Sequence, residues 1–589
     1  MNRAARVVPD VATFAVDLGF WYTIPDHLDP DLHLGSIVRV PLSGRRVRGW
    51  VVEIALERAG KLKEIAGISG SAAVFDDALL NSLLWTARHY VAPVSTLLGR
   101  ASPPNLPRRI PEAPPVPEIV KVSHPLSDVV YKSAAGDRSP VVALVGNWHR
   151  LGWIDKLGPV LVSGRSVLVV AASAAEVRQL AEAADRLWGE VIVAVDGADD
   201  KSDTAAWQAA QSPPRIVIGT PKTAVWRVAN LGLAIVLEEG RRAMKDRQTP
   251  TVHVREVMRT RSRLEGFNLA FYGPTPSVEL LSAGAEVLHE GNRAWPLVEV
   301  VDRSEDQPGS GFFAERTVAA IGATAKARGR VFVFTHRRVG YASMRCTRCR
   351  TLRTCSKCGS RVGRVDKCPR CDAAIGPCDS CGASEFEEMG SIPERLVTEI
   401  DRRLGRGTAQ IHPADGLVSV GTERDLAGLP LVNLAVAADV DGMLTGSGYR
   451  TSEEALRQLA RLALAVREGR GARLMMQTSR PDSLLVTTMR RGDPIPYQER
   501  VLVERAREEA PPASDMIAVE IRGQVPESAG SDLAALDGAL TMGPMSIPEG
   551  KRWLLTGKLG TARLELREVV GRWRDGGATV RIDADPIDV

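Results

Sequence analysis

The stretch VFVFTHRRVGYASMRCTRCRTLRTCSKCGSRVGRVDKCPRCDAAIGPCDSC, residues 331–381, starts as an apolar run and continues into a segment that holds all eight cysteines of the 589-residue chain. The thiols form four Cys-x-x-Cys knuckles: Cys346/Cys349, Cys355/Cys358, Cys368/Cys371 and Cys378/Cys381. Two intervening residues let both sulfurs turn onto one metal, and Gly359 and Gly382 suit the tight turn that follows. Two knuckles complete a four-thiolate site, so four knuckles predict two zinc ions, each closed and structural. Iron–sulfur ligation is the rival reading. Its signatures space their ligands differently, although Pro369 after Cys368 echoes one of them. Three pairings of the knuckles are open. Gaps of five and six residues between neighbours make tight loops, which favours a nested pairing. In it Cys346, Cys349, Cys378 and Cys381 hold zinc 1, and Cys355, Cys358, Cys368 and Cys371 hold zinc 2. Residues 345–370 also carry nine Arg/Lys against the single acid Asp366, a basic face suited to nucleic acid or to a protein partner.

On both sides of the insert, short apolar runs alternate with amphipathic stretches. Strands are expected at SVLVVAAS (166–173), RIVIGT (215–220), LAIVLEE (233–239), LAFYG (269–273), LVSVGT (417–422), VNLAVAADVD (432–441) and ARLMMQTS (472–479). Helices are expected at AAEVRQLAEAADRLW (174–188) and SEEALRQLARLALAVREG (452–469). Continuous apolar strands separated by helices predict parallel sheets covered on both faces, here two α/β lobes. Composition is that of an ordinary globular protein, 44% hydrophobic and 25% charged with a net charge of +5. No apolar run reaches the roughly 20 residues of a membrane span. The opening MNRAARVVPD lacks an apolar h-region, so no secretory signal is expected and the thiols are expected in a reducing compartment.

RIVIGTPKTAVWRVANLGLAIVLEEG (215–240), FYGPTPSVELL (271–281) and HRRVGYAS running into four knuckles resemble the PriA family of replication restart helicases, also called primosomal protein N′. The resemblance implies two RecA-like, superfamily 2 helicase-type lobes with a two-zinc insert, an N-terminal small β domain and a C-terminal α+β domain. The expected boundaries are 1–104 for a domain that binds DNA 3′ ends and 105–135 for a Pro-rich linker where the family's winged helix is missing. Lobe 1 is then 136–324, lobe 2 is 325–492 with the insert at 344–384, and the C-terminal domain is 493–589. A pocket for a 3′-terminal nucleotide is carried over to Phe20, Trp21, Tyr22, Gly44 and Lys63. Aromatic faces stack on a base and a Lys neutralises phosphate. Trp21 stands where the family has Asp. A plain β-domain alternation of core and surface residues is the other reading of Phe20–Tyr22. Lys551, Arg552 and Lys558 are further candidates for contacts to the DNA backbone.

Four motifs of the motor depart from the pattern. A phosphate-cradling loop needs Gly-Lys-Ser/Thr, yet VVALVGNWHRLGWIDKL (141–157) keeps only Gly146 and puts Trp148 and His149 where phosphate belongs. Leu237 replaces the Mg²⁺-holding Asp in Leu237-Glu238-Glu239-Gly240. Gly273-Pro274-Thr275 replaces Ser-Ala-Thr. QLARLALA (458–465) retains Gln458 and Ala460 but no glycines, and Arg461 and Arg467 are displaced from the family's arginine positions. The expectation is a DNA-binding restart protein that recognises stalled or abandoned forks without its own helicase activity, with no catalytic residues and with ATP as a doubtful ligand. Its expected partners are forked and single-stranded DNA, primosome components, the replicative helicase loader and single-stranded-DNA-binding protein, with no membrane. Its expected location is the cytoplasm, at the nucleoid. The alternatives are an active ATP-dependent 3′→5′ helicase and a zinc-ribbon adaptor between proteins.

Overall fold

The computed structural model describes residues 3–587 apart from 57–61, 71, 106–109, 118–123, 307–309, 337–342, 350, 358–361, 364, 369–372, 390–392, 414, 446–447 and 548. Cys358, Cys371, Gly359, Pro369 and the whole RR-x-GYA stretch (337–342) therefore lie outside the described residues. The N-terminal domain opens with β1 (Ala4–Pro9), β2 (Phe20–Thr23), β3 (Ile37–Leu42), β4 (Arg45–Ala55) and β5 (Gly67–Ser69), an antiparallel sheet ordered β2-β1-β4-β3-β5. Its helices Asp77–His89 and Val94–Ala101 pack against lobe 1, fastened by Trp207 Nε1 donating to the Ala101 carbonyl (3.2 Å) and the His253 amide to Tyr90 Oη (3.0 Å).

Lobe 1 is built on β6 (Val142–Val145), β7 (Ser166–Val170), β8 (Ile192–Val195), β9 (Ile216–Gly219), β10 (Leu231–Leu237), β11 (Asn268–Gly273) and β12 (Glu286–His289). The order is β12-β6-β11-β10-β7-β9-β8, parallel throughout. Lobe 2 is built on β13 (Val298–Asp302), β14 (Val331–Phe334), β17 (Ala409–Ile411), β18 (Val418–Gly421), β19 (Leu434–Ala437) and β20 (Arg473–Thr478), ordered β13-β20-β19-β14-β18-β17 and again parallel. Between β14 and β17, β15 (Ser343–Cys346) and β16 (Phe386–Met389) form a two-stranded antiparallel ribbon at the root of the insert. Runs such as Val142–Val145, Val331–Phe334 and Leu434–Ala437 are buried at every position, as strands covered on both faces must be. The C-terminal domain is an antiparallel sheet of β21 (Asp515–Arg522), β22 (Ala539–Ile547), β23 (Gly550–Gly557) and β24 (Thr579–Ala584) with the helix Gly560–Asp575.

Three boundaries differ from the sequence expectation. VEVVD at 298–302 pairs with β20, so the second sheet begins well before residue 325. The helix Ser127–Ala135, inside the expected linker, packs Val129 and Val130 into the core of lobe 1. The helix Ile495–Arg507, inside the expected C-terminal domain, buries Tyr497 and Val501 in lobe 2. Described residues of the Pro-rich stretch touch lobe 1, where the Asn105 amide donates to Thr204 Oγ1 (3.1 Å) and Arg215 Nη2 to the Glu112 carbonyl (3.1 Å). Among the described residues no helix is long and apolar enough to cross a membrane.

Candidate nucleic-acid interface, metal centre and inter-lobe cleft

Strand β2 carries the aromatic triplet along the edge of the N-terminal sheet. Tyr22 is a core side chain, 3% exposed, with its hydroxyl donating to the Pro41 carbonyl (3.3 Å) beneath the β3–β4 turn. Phe20 is 41% exposed, and Trp21 is half-buried opposite Arg6 of β1. Lys63 is exposed beside the end of β2, where its carbonyl accepts the Thr23 amide (2.9 Å). Gly44 closes the turn at φ +79° with open space where a Cβ would project, a conformation that only glycine adopts without strain. The triplet, Lys63 and the Gly44 turn thus belong to one small sheet, but the Tyr22 ring belongs to its core. Arg45 and Arg46, exposed directly after Gly44, add two cations to the turn; the run GRRVR was their sequence signal.

In the insert, Cys346, Cys349, Cys378 and Cys381 bring four sulfurs within 4.8 Å of one another. Cys346 Sγ lies 3.5 Å from Cys381 Sγ, and Cys349 Sγ lies 3.5 Å from Cys378 Sγ. Four sulfurs at 2.3 Å from a tetrahedral zinc are separated by about 3.8 Å, so this donor set fits one ion with little adjustment. The knuckles repeat one turn: the amides of Cys346, Cys368 and Cys378 donate to the carbonyls of Thr351, Ala373 and Ala383, five residues on in each case. Contact with the Thr351 hydroxyl, then its backbone amide, draws the Cys349 thiol down to about 6, towards the thiolate that a metal requires. Cys355 and Cys368 are both buried, packed around Val362.

The loop after β6 is where the resemblance would put a phosphate, and its Gly146, Asn147 and His149 amides are already engaged. The Asn147 amide donates to Glu290 Oε2 (2.7 Å), which also accepts from the Tyr272 hydroxyl (2.8 Å). A Cβ at Gly146 would strike that same carboxylate. Trp148 is fully buried and donates Nε1–H to Glu238 Oε1 (2.7 Å), while His149 stacks on its ring at 3.8 Å. Burial pushes the His149 imidazole down to about 4, so it is neutral near pH 7. Leu237, where a metal-holding Asp was sought, is a core residue. Glu238 takes a left-handed φ of +48°, held there by Trp148 and by guanidinium groups. Glu239 accepts the Ser277 amide (2.7 Å) and pairs with Arg255 (3.2 Å); burial raises its pKa despite that partner.

The facing wall is the lobe 2 helix Thr451–Leu464. Arg461 reaches across to Glu176 (2.9 Å) and Glu238 (3.2 Å), and Arg241 meets Glu176 from the lobe 1 side (2.6 Å). Arg457 binds Glu423 and Glu454, both at 2.6 Å, and Arg242 approaches Glu454 at 3.5 Å. Arg461, singled out as a displaced motif arginine, is thus a central residue of the cleft, whereas Arg467 ends the helix region near Val432. Glu176 and Glu290 sit in no motif, and nothing in the sequence marked them. Two cavities remain beside Arg461: one of about 400 Å³ reaching His149 and Leu431, the other of about 560 Å³ reaching Ser173, Thr422 and Arg424.

Residues 6–103 match the family described as 3′DNA-binding domain (3′BD). Over 603 aligned residues the chain is 23% identical to the probable replication restart protein PriA of Mycobacterium leprae, covering 91% of this chain and 90% of that one. It is 26% identical to the probable replication restart protein PriA of Deinococcus radiodurans over 73% of this chain and 52% of that one. It is 23% identical to the replication restart protein PriA of Thermotoga maritima over 56% and 49%. The resemblance to the PriA family read from the sequence is therefore present over most of the chain. Among solved structures, Saccharomyces cerevisiae Dbp5 bound to RNA and ADP BeF3 overlaps 64% of this chain and 87% of its own at 9% identity and a TM-score of 0.35. The DUF1998 helicase MrfA bound to DNA overlaps 68% and 52% at 10% identity and a TM-score of 0.34.

Proposed function

We propose that this chain, similar over most of its length to PriA-type replication restart proteins, is a DNA-binding restart factor that recognises forked and single-stranded DNA and hydrolyses no ATP. The observation that carries the reading is the pairing of a 3′DNA-binding-type domain with a motor cleft in which Glu290, Trp148 and Glu238 take up the phosphate-facing groups. ATP turnover needs free loop amides, a lysine and an Mg²⁺ carboxylate in that place. Here the Asn147 amide is bound, Trp148 and neutral His149 stand where phosphate belongs with no Gly-Lys-Ser/Thr after Gly146, and Leu237 stands where the family has its Mg²⁺-holding Asp.

In this reading the Phe20–Trp21 edge, the Arg45/Arg46 turn and Lys63 meet the DNA, aromatic faces on bases and cations on phosphates. The outer cysteine cluster holds one structural zinc, and Cys355, Cys358, Cys368 and Cys371 hold a second. The repeat of the knuckle turn at Cys368 supports that second site. Bound to a fork, the chain helps assemble the primosome and load the replicative helicase, in company with single-stranded-DNA-binding protein. Fluorescence anisotropy on forked, single-stranded and blunt duplex DNA, with ATPase measured alongside, tests it. Preference for forks or single strands without DNA-stimulated hydrolysis is expected. Vigorous hydrolysis overturns the inert motor, and absence of DNA binding favours a protein adaptor.

A further inference from the structure

We infer that the two lobes are locked in one closed arrangement by the chain's own carboxylates, which supply the negative charge a nucleotide's phosphates would bring to the cleft. The inference rests on the reading that the motor does not turn over, but it goes further. A lobe pair that had only lost hydrolysis would still be free to hinge.

Three separate contacts cross the seam. At its centre Arg461 of lobe 2 binds Glu176 and Glu238 of lobe 1, and these three side chains are 3%, 2% and 3% exposed. Nearby, Arg242 of lobe 1 faces Glu454 of lobe 2 (3.5 Å). At the far end Glu279 of lobe 1 meets Arg450 and Arg505, and the Val278 amide donates to Glu453 Oε1 (3.1 Å). Apolar contact joins them, because Val145 and Val278 of lobe 1 pack in the same cluster as Leu456 and Leu459 of lobe 2.

Charge balance in the seam supports the lock. The central cluster sets Glu176, Glu238, Glu423 and Glu454 against Arg241, Arg242, Arg457 and Arg461, four of each sign. An arginine that serves a transferring phosphate must wait for its anion. These four guanidinium groups have theirs already, so a nucleotide entering between the lobes would find them engaged by carboxylates from both walls. Opening the cleft would break the pairs of Arg461 with Glu176 and Glu238, leaving Glu176 with Arg241 and Arg461 with Glu423 (3.5 Å), and would uncover the apolar contact of Val145 and Val278 with Leu456 and Leu459.

Hydrogen–deuterium exchange of the full zinc-loaded chain tests the lock, followed on peptides covering 174–180, 238–242 and 453–464. The wild-type protein alone is expected to protect all three, with no change on adding ADP or a non-hydrolysable ATP analogue. Arg461→Ala at the centre, or Arg450→Ala at the far end, is expected to speed exchange on both walls by roughly a hundredfold. Rapid or bimodal exchange of both walls in the wild type, or protection that appears only with nucleotide, overturns the inference without needing any variant. An ATPase assay on the same sample separates the two failures. Hydrolysis sinks the inert-motor reading and the lock together, whereas a mobile cleft without hydrolysis sinks only the lock.

Discussion

Replacing Trp148 in two steps separates packing from hydrogen bonding at the loop after β6. Its indole is fully buried among the lobe 1 core, its carbonyl accepts Trp153 Nε1–H (2.9 Å), and its own Nε1–H is given to Glu238 (2.7 Å). Trp148→Phe keeps most of the apolar volume and deletes the donor, leaving Glu238 one hydrogen bond short. A bond to a charged group contributes about 1.5–3 kcal/mol, and that is the expected loss. Trp148→Ala adds the cavity, and truncating a buried Trp costs about 3–5 kcal/mol by itself. A chain with several packed domains does not melt in two states, so a single melting temperature is the wrong readout. Native-state exchange of amides in β6 and β10, the strands that flank the indole, reports the local opening free energy instead. Losses in the order Ala greater than Phe greater than wild type are expected, with no gain of ATP binding in either variant. If Phe matched wild type to within about 0.5 kcal/mol, the Glu238 bond would be incidental. If Ala kept its stability and began to bind ATP, Trp148 would be a removable plug rather than part of the core, and the reasoning would fail.

Three other outcomes are expected. Cys378→Ser should halve the zinc released on denaturation and expose the insert to protease while the lobes stay intact, since a four-thiolate zinc contributes on the order of 10 kcal/mol of local folding energy; unchanged zinc content contradicts the cluster. Burial holds His149 at about 4 and His253 well below its ordinary value, so the unfolded chain takes up protons before the folded one does. Stability should therefore decline as pH falls from about 6.5 towards 5, and His149→Phe should flatten that decline in the native-state exchange of β6 amides; a profile no flatter than wild type removes His149 from the account. Arg45→Ala combined with Arg46→Ala should weaken binding to all DNAs and reduce the slope of log K against log salt by about 1–2. An unaltered slope places the turn away from the DNA.

The strands of both lobes were legible because burial on both faces writes itself as an unbroken apolar run, and Val167–Val170 or Leu434–Ala437 have no other good reading. Partnership between strands was not legible. VEVVD at 298–302 looks like the end of lobe 1 in sequence, and only the pairing of Val298 with Leu474 and Asp302 with Thr478 puts it in the second sheet. The helix Ile495–Arg507 follows the same logic: nothing local in its sequence says that Arg505 will be buried against Glu279 and Glu453. For the metal, the gap lengths already favoured the outer set, and the structure brings Cys346 beside Cys381 through the ribbon, within one four-thiol cluster that could hold an ion.

The four altered motor motifs look in sequence like four separate losses, and the structure makes them one. A cleft that gives up its ligand keeps backbone amides and arginines that were arranged for phosphate, and burying them without partners costs more than most single substitutions. Several such groups here have an internal partner: Glu290 for the Asn147 amide, Glu176 and Glu238 for Arg461, Glu423 and Glu454 for Arg457. Trp148 then fills the space and supplies Glu238 with a donor, and Leu237 no longer needs to face a metal. Restoring a single motif would therefore break a satisfied network without rebuilding a phosphate site. Trp148→Gly with His149→Lys, for example, should destabilise lobe 1 and yield no hydrolysis while Leu237 and the Arg461 seam remain.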